Sequence, residues 1–177
     1  MPDLQLHFVV GKLVNHGRAT VFGHGFSCHV CVLRPKSRGS LRLASADPLA
    51  PPLIDPAFLQ DSDDVRRMVV GFKLMRELLQ QPALARHGAV ERSAAATSDA
   101  DIEAFIRQHA DTIYHPVGSC RMGPGAMDVV DERLRVRGVE RLRVVDASIM
   151  PSIVGGNTNA PAIMIAERAA AFMKDGS

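Results

Sequence analysis

Two stretches in the last third of the chain constrain its fold more than anything else in the sequence. One is Tyr114-His115-Pro116-Val117-Gly118-Ser119-Cys120-Arg121-Met122-Gly123; the other runs from Leu142 to Pro151 and on through Gly155-Gly156-Asn157-Thr158-Asn159-Ala160-Pro161. Both are runs of small and polar residues set between hydrophobic elements, the places where a rigid scaffold presents chemistry. The rest of the chain reads as their support.

After Pro161, Ala162 to Met173 is dense in helix formers, and a proline is allowed in a first turn. The glycine-asparagine loop is therefore expected at a helix N-terminus. Leu142 to Val145 is short and β-rich and ends at Asp146, which predicts a strand whose end delivers polar groups.

Upstream, Leu4 to Val10 alternates and predicts a strand, and Phe26 to Leu33 predicts another, with Phe26, Cys28, Val30 and Val32 on one face. Between them, residues 11 to 23 form a loop punctuated by Gly11, Asn15-His16-Gly17 and Gly23. Arg34 to Ser40 reads as a turn, after which Leu41 to Ser45 is expected to return against the second strand in one antiparallel sheet with one wet face. The four prolines between Asp47 and Pro56 predict an extended tether without regular structure.

Asp61 or Ser62 caps a predicted helix reaching about Gln81, because Val65, Met68, Val69, Phe72, Met75, Leu78 and Leu79 recur at spacings of three and four. Pro82 ends it. Ser98 to Asp101 resembles a capping box and opens a second helix, with Ile102, Phe105 and Ile106 inward, that ends near Ala110. Two helices are thus expected to cover the sheet, giving an α+β fold.

With 177 residues the chain has room for one well-buried domain, or a domain and part of another. The 21 basic and 19 acidic residues are spread along it and net +2, so no basic face points to nucleic acid; a small molecule is the expected partner. No run is long enough to span a membrane. Three cysteines and no apolar leader point to a reducing compartment, either the cytoplasm or the soluble part of a peripheral enzyme.

From His115 onward three blocks together carry a family pattern: Tyr-His-Pro-Val-Gly-Ser-Cys-Arg-Met-Gly, then Leu-Arg-Val-Val-Asp-Ala-Ser-Ile-Met-Pro, then Gly-Asn-Thr-Asn-Ala-Pro-Ala-Ile-Met-Ile-Ala-Glu-Arg-Ala. The chain resembles the C-terminal part of glucose-methanol-choline (GMC) flavoproteins, nearest to bacterial alcohol and choline dehydrogenases. Leu33 to Ser40 and Asp47 to Pro56 fit the same pattern in the right order. The resemblance implies FAD-dependent oxidation of an alcohol. It also implies a substrate-binding domain built on an antiparallel sheet, over residues 1–141, and a strand and helix at 142–177 that complete the FAD-binding domain. The family's N-terminal glycine-rich fingerprint is missing, since Gly23-His24-Gly25 lacks a third glycine and follows no convincing strand. The chain is thus expected to be the C-terminal portion of such an enzyme, binding FAD only with the missing N-terminal part.

On this resemblance His115 is the catalytic base, and the chemistry suits it: imidazole titrates near neutrality and can take the hydroxyl proton as hydride leaves the carbon. Asn157 matches the position where the family carries a second histidine or an asparagine, and an amide can both donate to and accept from the substrate oxygen. Asn157, Thr158 and Asn159 match the helix start that faces the flavin, and Asp146 and Ala147 match ribityl and pyrophosphate contacts. The plainer reading of Asp146-Ala147 is a strand end and a turn.

Cys28 and Cys31 have a C-x-x-C spacing, but residues three apart in a strand point to opposite faces, so no metal site is expected. Cys120 reads as a small packed residue. The rival to the enzymatic reading is a non-catalytic fragment or interaction module that binds no flavin alone and whose uncovered apolar face promotes self-association.

Overall fold

The structure is a computed structural model, and it describes residues 1–13 and 21–176. The expected loop at Asn15-His16-Gly17 lies outside the described residues. The chain forms two compact units, one of Met1–Arg38 with Ala57–Ile113, the other of Gly39–Pro56 with Tyr114–Ser177. The architecture is α+β, with small antiparallel sheets and helices.

In the first unit, β1 (Leu4–Val9) pairs antiparallel with β2 (Ser27–Val32), Leu4 opposite Val32 and Phe8 opposite Cys28. Helix α1 (Ser62–Leu79) lies on this pair. Its start is capped by Asp61, whose side chain accepts the Asp63 N–H at 2.8 Å. Val65, Val69 and Phe72, at successive spacings of four and three residues, are buried along one stripe. At Gly71 the helix lies close against the sheet: a Cβ there would stand 2.7 Å from Val30 Cγ2 and 3.2 Å from Leu4 Cδ1. Alanine at 71 gains about 0.5–1 kcal/mol of helix preference and loses about 1–3 kcal/mol to overpacking against stiff Val30. The expected net result is destabilisation on the order of 1 kcal/mol, read as a lowered midpoint in urea.

Pro82 stops α1 and also opens a short helix, α2 (Pro82–Ala85), at a first-turn position where its missing N–H loses nothing. Helix α3 (Asp99–His109) starts in a true capping box: Ser98 accepts from the Asp101 N–H, and Asp101 accepts from the Ser98 N–H. Ile102 and Ile106 are buried, and Phe105 meets Phe72 with ring centroids 5.6 Å apart. Helix α3 packs on α1 rather than on the sheet, so among the described residues α1 is the long helix that covers the strands.

The expected single sheet is corrected. β2 takes β1 as its partner, whereas β3 (Ser40–Arg42) pairs with β4 (Leu53–Asp55) in a separate two-stranded sheet. The reason lies in the turn after β2: the backbone N–H groups of Lys36 and Ser37 donate to the buried carboxylate of Asp64, which ties the chain to the first turn of α1 instead of folding it back on β2. The expected structureless tether is corrected too. β4 fits between Pro52 and Pro56, and neither ring removes a donor from the ladder.

In the second unit, Val130 is fully buried and packs with Leu134, Ile149 and Met150. Ile165 and Ala169 of α4 (Asn159–Lys174), four residues apart and so on one face, complete that core. The strand expected at Leu142–Val145 does not form; Arg143 pairs with Arg135 in an isolated bridge. Left-handed backbone at Leu134 (φ 65) and Arg141 (φ 60) bends both partners and stops a ladder from growing.

Candidate active site

The two sequence blocks meet through the backbone. The Cys120 N–H donates to Ser148 O at 3.1 Å and the Met122 N–H to Ile149 O at 2.8 Å, which lays the first block alongside the turn after Asp146. Gly118, with φ +87, turns beside Met150 O, which would stand 3.4 Å from a Cβ at that position. A side chain there is disfavoured by the left-handed backbone itself.

His115 leaves this arrangement half-buried. Tyr114 before it is left-handed (φ 64), an uncommon state for a bulky residue, and Pro116 after it excludes helical backbone, so the imidazole is held at a sharp bend. Its Nδ1 lies 3.0 Å from Thr158 Oγ1. That contact joins positions 43 residues apart in the chain. Asn157 is the next residue toward the N-terminus and is exposed.

Thr158 occupies the cap position of α4, yet no side chain caps this helix. The first α4 donor engaged by the helix is Ala162, which bonds Thr158 O at 3.0 Å. Pro161 has no N–H to offer, and Asn159 and Ala160 carry the remaining N–H groups of the first turn. A helix end of this kind favours negative charge. The core contacts of Ile165 and Ala169 hold it in place.

Asp146 and Ala147 sit in a different local structure. Asp146 Oδ1 accepts the Ser148 N–H at 2.7 Å and caps a single 3-10 turn, Ala147–Ile149, whose Ile149 enters the core. An open hollow of about 330 Å³ is lined by Gly118, Ser119, Arg121, Met127 and Val129, and none of the candidate residues lines it.

In the first unit, the register sets Cys28 opposite Phe8 and Cys31 opposite Gln5, on alternate faces of the pair. Burial pushes both thiols up, against a smaller opposing effect of neighbouring backbone N–H groups. Cys31 Sγ lies 3.7 Å from His7 Nε2. His29, across from His7, is pushed below the ordinary imidazole range by burial and then by His7. Among the described residues, no three His, Cys, Asp or Glu side chains are grouped so as to hold a metal ion, and no helix is long and apolar enough to cross a membrane.

Residues 35–166 match the family model described as GMC oxidoreductase. The chain belongs to this family. Among its GMC relatives, an alcohol dehydrogenase [acceptor] from Pseudomonas putida is 52% identical over 171 residues, covering 96% of this chain and 31% of the relative. An oxygen-dependent choline dehydrogenase from Chromohalobacter salexigens is 45% identical over 171 residues, again 96% of this chain and 31% of the relative. Among solved structures, formate oxidase from Aspergillus oryzae RIB40, studied for its FAD modification, superposes with a TM-score of 0.85 at 25% identity, over 99% of this chain and 32% of that one. This GMC chain thus spans about a third of the length of the curated relatives it matches. GMC oxidoreductases are FAD-dependent flavoenzymes.

Sequence reasoning did not foresee two features of the site. The left-handed Tyr114 has no sequence signal, because a bulky aromatic residue is not one that favours this backbone. The Thr158–His115 contact had only a partial one: proline two residues after Asn159 removes one donor that a capping threonine can take, without naming the imidazole as partner.

Proposed function

We infer that this chain is the catalytic carboxy-terminal part of a GMC flavoenzyme that oxidises a primary alcohol, choline-like or other, to the aldehyde. Residues 1–141 serve as the substrate-binding part, and residues 142–177 complete the FAD-binding domain. The observation that carries this reading is the 3.0 Å contact between His115 and Thr158, which brings the two family blocks together at the uncapped start of α4.

FAD, when bound, supplies the hydride acceptor. His115 takes the hydroxyl proton at Nε2, since Nδ1 is engaged by Thr158. Asn157, one residue away in the chain, holds the substrate oxygen. The N–H groups of Asn159 and Ala160 at the helix end stabilise negative charge where the flavin ring would lie. Asp146 and Ala147 serve the ribityl and pyrophosphate portion. Three unpaired cysteines fit a cytoplasmic or membrane-peripheral setting.

The test is a chimera in which this chain replaces the matching carboxy-terminal third of the Pseudomonas putida relative. The expected product is a yellow protein that oxidises primary alcohols with a dye acceptor. A chimera that folds and binds flavin, but turns over no alcohol across a panel including choline, overturns the reading.

A further inference from the structure

We propose that Thr158 is a positioning residue: its hydroxyl oxygen accepts the Nδ1–H of His115 and thereby selects the imidazole tautomer that leaves the lone pair on Nε2. The significance for catalysis rests on the function proposed above; the tautomer assignment does not.

A threonine directly before a helix ordinarily turns its hydroxyl back to accept the N–H of the second or third helical residue. Here the third residue is Pro161, which has no N–H. Thr158 itself has φ −90 and ψ −3, helical backbone rather than the extended backbone of a capping residue, and makes no capping bond. The helix therefore does not use the hydroxyl, which reaches His115 at 3.0 Å instead.

The support on both sides is firm. Thr158 is β-branched and stiff at χ1, and it begins a helix anchored in the core by Ile165 and Ala169. His115 stands between left-handed Tyr114 and Pro116. A hydroxyl can donate or accept, and a neutral imidazole carries one N–H. Of the two senses, only acceptance by Oγ1 leaves Nε2 able to take a proton from an alcohol. The partner on one ring nitrogen decides which form the other takes.

The test needs neither flavin nor substrate. Ring-nitrogen NMR of the 177-residue chain, at a pH where His115 is neutral, is compared for wild type, Thr158→Val and Thr158→Ser. Wild type should show Nδ1 protonated and Nε2 bare as the major form. Valine keeps the shape and removes the oxygen, and should shift the tautomer ratio toward Nε2–H by on the order of tenfold, the loss expected for one neutral hydrogen bond. Serine should restore the wild-type ratio. The thermal midpoint of Thr158→Val should fall by no more than the few degrees that one lost hydrogen bond is worth. An Nε2–H form in wild type, or a ratio unmoved by valine, overturns the inference. So does a midpoint lowered by valine with the ratio unchanged, which would return Thr158 to an ordinary capping role. The two proposals fail separately: a shifted ratio sustains this one even if the chimera oxidises no alcohol, and an unmoved ratio sinks it even if His115 proves essential.

Discussion

Replacing His115 by alanine in the flavin-loaded chimera is expected to lower kcat by about 10²–10⁴ while FAD stays bound. The size follows from the proposed role: without a positioned base, the hydroxyl proton would have to leave to water while hydride transfer proceeds. The selectivity follows from the geometry. The His115 side chain is half-buried and lies outside the core of its unit, which is formed by Val130, Leu134, Ile149, Met150, Ile165 and Ala169. Its loss should leave α4 in place. Stopped-flow reduction of the bound flavin, with the visible spectrum as the measure of occupancy, separates the two quantities. Turnover within a factor of two of the parent would remove His115 from the mechanism.

The second large effect concerns stability. Asp64 is 2% exposed, and its carboxylate accepts the Lys36 N–H, the Ser37 N–H at 2.8 Å and the Ser37 hydroxyl at 2.6 Å, and pairs with Arg67 at 2.8 Å. Asparagine keeps the shape but turns an amide donor toward backbone donors and leaves Asp63 as the remaining carboxylate beside Arg67. The expected loss for Asp64→Asn is on the order of 3 kcal/mol, measured by urea unfolding near neutral pH.

The same carboxylate gives the stability a pH dependence of definite sign. Burial acts to raise it, but the bonds from Ser37 and Lys36 and the charge of Arg67 override that effect and hold it below the ordinary aspartate range. The folded state therefore binds this proton less readily than the unfolded chain, where aspartate titrates at about 3.9. Its contribution is complete above about pH 4 and is lost as pH falls through the lower folded value. The gap between wild type and Asp64→Asn should accordingly narrow in acid. A gap independent of pH down to the acid transition would show that Asp64 acts by shape alone.

Local and periodic features were legible in the sequence. The Ser98–Asp101 capping box and a cap at Asp61, one of the two candidates with Ser62, depend on neighbours within one turn, and the structure has both; of the apolar stripe expected from Val65 to Leu79, Val65, Val69 and Phe72 are buried but Leu78 is exposed. The helix after the glycine-asparagine loop was equally plain, as were the strands at Leu4–Val9 and Ser27–Val32. So was the family, because its blocks are long, ordered and rich in residues that backbone geometry restricts.

Pairing was not legible in this way. Alternation marks a strand without naming its partner, and the choice of β1 for β2 depended on Asp64, whose capture of the Lys36 and Ser37 N–H groups turns the chain away. The same holds at the site. The sequence by itself determined that an imidazole at 115 and a carboxamide at 157 would both lie on loops, one before a proline and one before a helix. Only the tertiary structure decided that the threonine between that carboxamide and the helix would bond the imidazole. A hydroxyl's partner depends on which donors and acceptors the fold brings within 3 Å, and proline at 161 says only which one it cannot have.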